Sequence, residues 1–159
     1  MTKEQEEQVQ SAMDRGREAT NHAIDNAKSW LESIAEALEA YHKARGANGD
    51  DEWGKVEFDG EELTADGIQQ RIEEMPLEIA VRSDWHTPGT EAEKPEEYRI
   101  LLTTGGPALR IIGELDEYSQ PESARLEWQD WGTRWTKYHT TTEQEEQLIE
   151  FARFFYFGE

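Results

Sequence analysis

The chain has 159 residues, enough for one domain that buries roughly two-thirds of its unfolded surface. It contains no cysteine, which excludes disulfides, thiolate nucleophiles and thiolate zinc sites, and no apolar run approaches the ~18 residues of a membrane span. A formal net charge of −20 sets the protein against nucleic acid and anionic membranes while drawing it toward basic partners. Salt adaptation and an interaction role both account for such a charge, and neither bears on fold.

The N-terminal MTKEQEEQVQ lacks signal-peptide character, and the absence of thiols fits a reducing cytoplasm. Residues 4–45 hold no proline and a single glycine, Gly16, in a composition rich in Ala, Glu and Gln, which predicts a long helix. From Ile24 its apolar positions Ile24, Ala27, Leu31, Ile34, Leu38 and Tyr41 recur at spacings of three and four and form one narrow stripe. Such a stripe either docks on the protein's own sheet or serves as a self-association seam, and docking is the expectation. The helix should stop near Gly46.

Gly49 to Gly60 reads as a loop, and as far as Asp66 it is the densest acidic stretch of the chain. Asp50, Asp51, Glu52, Glu57, Asp59, Glu61 and Glu62 are the candidate binding surface there, because carboxylates on a loop are free to fit a basic groove. Their spacing does not match the EF-hand pattern, so no metal or other cofactor is expected. A short helix follows, with Thr64 as N-cap and Leu63 and Ile68 at hydrophobic-staple spacing, and it ends against Pro76.

From Pro76 the period changes to two. Leu77, Ile79 and Val81 share one face of a first strand, Tyr98, Ile100 and Leu102 of a second, Leu109, Ile111 and Leu115 of a third, and Ala124, Leu126 and Trp128 of a fourth. Thr103 to Pro107 and Asp116 to Pro121 are turns, so a four-stranded antiparallel meander is predicted. Arg134 to Tyr138 continues extended. The last helix is expected to open at a capping box with Thr142 at the N-cap and Glu145 at N3. Its stripe of Leu148, Ile149, Ala152, Phe155 and Tyr156, widened by Phe151, Phe154 and Phe157, should run to Gly158 and cover the sheet. The predicted class is α+β in one domain, with an N-terminal helical region (1–46), an acidic loop and short helix (47–75), and a sheet core with a C-terminal helix (76–159).

Catalytic chemistry is weakly signalled. The four histidines lie far apart with no zinc-binding spacing, and Gly105-Gly106-Pro107 joins two strands instead of opening a helix, so no phosphate loop is present. Asp84-Trp85-His86 is the one triplet that suggests a general base, with Tyr98, Asp116 and Tyr118 expected near it in a meander. A loop histidine bonded to aspartate is the expected reading of the triplet. Trp85, Trp131 and Trp135 are candidate aromatic contacts, whereas Trp128 is in phase with the core.

PLEIAVRSDWHTPG at 76–89, ILLTTGGPALRIIGELDEY at 100–118, LEWQDWGTRW at 126–135 and FYFGE at 155–159 resemble a family of small acidic proteins encoded by tailed bacteriophages and prophages. The resemblance spans about the last half of the chain. It implies a protein acting in the cytoplasm of an infected or lysogenic bacterium and brings no catalytic residues. The function expected is therefore non-enzymatic: binding and inhibition of a host protein through acidic surface. In its sharpest form this is nucleic-acid mimicry against a CRISPR or restriction complex, with no direct nucleic acid or membrane contact. The alternative is an assembly factor that oligomerises through the N-terminal helix.

Overall fold

The computed structural model describes residues 2–47, 54–83, 85, 87–89, 94–105, 107–130 and 134–158, with backbone alone for 12–20 and 47. Its elements are α1 (Lys3–Ala47), β1 (Val56–Phe58), β2 (Glu61–Leu63), α2 (Ala65–Glu73), β3 (Glu78–Arg82), β4 (Glu97–Thr103), β5 (Ala108–Glu114), β6 (Arg125–Gln129), β7 (Thr136–Tyr138) and α3 (Thr142–Ala152). The class is α+β. β1 and β2 form a separate hairpin, and β3 to β7 form one antiparallel sheet in chain order. The meander thus has five strands where four were expected. β7 extends it through Leu126↔Tyr138, Glu127↔Lys137 and Trp128↔Thr136. Three residues are too few to show a period, which is why that segment read only as extended.

Alternation places the core correctly in the middle of the sheet. Tyr98, Ile100, Leu102, Leu109, Ile111 and Leu126 are all buried on one face, in register through Ile100↔Ile111 and Ile111↔Leu126. α1 lies against β5 and β6, and α2 and α3 pack beside it. Ala27, Leu31, Ile34 and Leu38 are buried in the same cluster, as the docking expectation requires, with Tyr41 packed at its border. Burying a Leu or Ile side chain contributes about 1.5–3 kcal/mol, so these contacts hold down the C-terminal half of α1. Residues 3–11 are exposed at every position.

Three expectations need correction. Leu77, Ile79 and Val81 do lie on the helix side of β3, but they remain exposed, because β3 is an edge strand beyond the reach of the helices. α3 ends at Ala152, six residues before Gly158. The chain then turns so that Phe157 packs on Tyr98, with ring centroids 5.0 Å apart, and Tyr156 faces solvent. Finally, the N-cap of α3 is Thr141 with Gln144 at N3, one residue earlier than expected. By contrast, α2 is capped at Thr64, whose hydroxyl accepts from the Gly67 amide.

Candidate functional site

The acidic stretch read as a loop is a β-hairpin over its second half. Asp59 and Gly60 sit at φ 52° and 81°, the positive angles a two-residue type I′ turn demands of both central residues. Val56, Phe58 and Leu63 are partly buried against the core and anchor one face of the ribbon. The pairing Glu57↔Glu62 then sets two exposed carboxylates directly opposite each other on the other face. Like charges so placed repel across the ~5 Å between opposed Cβ atoms. Glu61 sits opposite Phe58 and is engaged differently: its carboxylate pairs with Arg71 of α2. Asp59 stands at the exposed tip. Asp50, Asp51 and Glu52 lie outside the described residues.

A second acidic focus forms where sequence reasoning placed none. At one end of the large sheet an open cleft of about 1370 Å³ is lined by Glu96, Glu97, Glu114, Glu117 and Glu122, with Arg82 and Lys94 on its wall. Its lining includes another like-charge pair, Glu97↔Glu114, directly opposed on β4 and β5. Arg82 neutralises Glu97 from the β3 side. These carboxylates are scattered along the sequence and meet only through strand register. Their one sequence signal is phase, since Glu97 and Glu114 both fall on the polar side of their strands.

Only part of the expected proton-transfer group falls among the described residues. Asp84 and His86 lie outside them. Tyr98 is a core residue whose hydroxyl donates to the Ser123 carbonyl at 2.6 Å, and burial pushes its phenol well above the ordinary range. Asp116 accepts from the amides of Tyr118 and Gln120 and so shapes its own turn. Tyr118 is exposed.

Of the candidate aromatics, Trp85 is 99% exposed at the mouth of the cleft. Trp131 lies outside the described residues. Trp135 is half-buried, and the Arg110 guanidinium covers one face of its ring, 4.0 Å from the centroid. Arg110 in turn donates to Glu127 at 2.9 Å and 2.7 Å, and Arg125 reaches the other oxygen of that carboxylate at 3.1 Å. Trp128 packs against the core, as its phase predicts.

Among the described residues no three His, Asp or Glu side chains gather to hold a metal ion, and no helix is long and apolar enough to cross a membrane. Comparison with protein-family models, curated proteins and solved structures finds no match to the chain.

Proposed function

We propose that the protein is a non-enzymatic acidic binding protein that engages a basic surface on a host protein. In line with its resemblance to phage-encoded acidic proteins, the target is a nucleic-acid-binding defence complex, CRISPR or restriction. Inhibition follows because carboxylates occupy the positions where the target holds phosphates. Arginine forks accept either anion.

The observation that carries this reading is the pairing of like charges. Glu57 with Glu62, and Glu97 with Glu114, stand directly opposite one another on sheet surfaces. Like charges directly opposed destabilise a sheet, a cost that Arg82 offsets at Glu97 and that evenly spread solubilising charge avoids. A guanidinium bound between the two carboxylates removes the repulsion. The alternative of an assembly factor acting through α1 is weaker, because the apolar stripe from Ala27 to Leu38 is buried inside the protein itself.

The test is capture from bacterial lysate with the full chain as bait. A basic partner retained in about 0.1 M salt should be lost near 1 M, where the Debye length shrinks from ~10 Å to ~3 Å. Glu57→Gln with Glu62→Gln keeps shape, removes two charges and should slow association. A partner held equally at both salt concentrations and indifferent to the double substitution would refute an acidic interface.

A further inference from the structure

The two edges of the five-stranded sheet differ. β7 is three residues long and carries Lys137, the short and charged build that discourages strand pairing. β3 is five residues long, has neither lysine nor proline, and runs in unbroken register with β4. Its outer side has no strand neighbour among the described residues. On the helix side its apolar residues Leu77, Ile79 and Val81 are 62%, 40% and 47% exposed, although Ile100 and Tyr98, the β4 partners of Ile79 and Val81, are buried.

We propose that β3 pairs with β3 of a second copy, antiparallel, about a two-fold axis at Ala80. The strand is complementary to itself. Glu-Ile-Ala-Val-Arg set against its own reverse puts Glu78 opposite Arg82, Ile79 opposite Val81 and Ala80 opposite Ala80. Both faces of the sheet profit. On the polar face Arg82 already pairs with Glu97, and Glu78 lies 3.7 Å from Arg99. Pairing joins these into a ladder of Glu97, Arg82, then Glu78 and Arg99 of the second copy, with acid and base alternating across the junction. On the helix side Ile100 and Ile79 continue into Val81 and Tyr98 of the second copy, which covers apolar surface that the fold leaves open. A shift of two residues would keep the faces but set Glu78 against Ala80, so this register alone satisfies both charges. The contact is isologous, so it closes at a dimer.

One strand edge buries less than the ~1,200–2,000 Å² of a standard stable interface, so the dimer is concentration-dependent. Each copy also carries a net charge of −20, and the two repel. Salt therefore strengthens this contact, opposite to its effect on a basic partner. The inference shares Arg82 and Glu97 with the acidic cleft, but it needs no basic partner and is tested on the isolated chain.

The test is sedimentation equilibrium of the full chain over a range of concentrations in low and high salt. Average mass should climb from 18.4 kDa toward twice that value with concentration, and further in high salt. Glu78→Arg puts a guanidinium opposite Arg82 and should weaken the dimer about tenfold, as should Arg82→Glu. Combining the two substitutions restores opposite charges across the axis and should recover the dimer. Both side chains are largely exposed, and unchanged thermal melts would confirm that each variant folds. A monomer under every condition would overturn the pairing. So would a dimer indifferent to Glu78→Arg, or a double variant as weak as the single ones.

Discussion

Gly113 lies in β5 opposite Tyr98, beneath the segment that carries the Ser123 carbonyl. A Cβ at this position would stand 2.0 Å from that oxygen and 2.8 Å from a ring carbon of Tyr98. Neither neighbour can yield, because the carbonyl is backbone and the Tyr98 hydroxyl is bonded to the same oxygen. Gly113→Ala should therefore cost about 2 kcal/mol or more in a denaturant melt, at the upper end of overpacking effects. Gly46→Ala is the control, since nothing lies within 4 Å of a Cβ there and it should leave stability unchanged or slightly raised. Equal midpoints for the two variants would contradict the close approach. Alternation reveals that Gly113 faces inward, but not that backbone ten residues later crosses it. The Glu97–Glu114 pair was hidden for the same reason: register between strands is non-local information.

Caps and turns are local, and at the scale of elements the sequence is most readable where one residue has no competitor. Thr64 stands alone ahead of α2 and caps it. Ahead of α3, Thr140, Thr141 and Thr142 all qualify, and the cap is Thr141, whose hydroxyl accepts from the Gln144 amide at 3.1 Å while the Gln144 side chain accepts from the Thr141 amide at 2.9 Å. Thr141→Ala should therefore lower stability by about 1 kcal/mol, and Thr142→Ala by clearly less. Thermal melts giving the reverse order would return the cap to the expected position. The β1–β2 hairpin went unread although Asp59-Gly60 is a strong two-residue turn signal, because its three-residue strands are too short to alternate visibly. β3 was read too well: its alternation marks a strand with an apolar side, but a pattern cannot say how far the helices reach across a sheet.

Charge is segregated over the whole molecule. Arg82, Arg99, Arg110, Arg125 and Lys137 lie on the sheet face turned away from α1, where register also places Glu78, Glu97, Glu114 and Glu127, so that face is close to neutral. The surplus carboxylate is left to other surfaces, including the β1–β2 hairpin and the exposed side of α1. On α1, Glu32, Glu36 and Glu39 are exposed at helical spacing, and like charges three or four residues apart oppose the helix that carries them. Salt should therefore stabilise the protein. Tm is expected to rise between about 0.1 M and 1 M NaCl as the Debye length falls to ~3 Å, below the distance between most surface charges. Glu32→Gln, Glu36→Gln and Glu39→Gln together should raise Tm in low salt by a few degrees, since 1 kcal/mol shifts a domain of this size by about 2–4 °C. The same variant should respond less to added salt, because part of the repulsion that salt screens is already gone. Parallel salt curves for the variant and the parent chain would place the repulsion elsewhere on the surface, with the Glu57–Glu62 and Glu97–Glu114 pairs the next to neutralise.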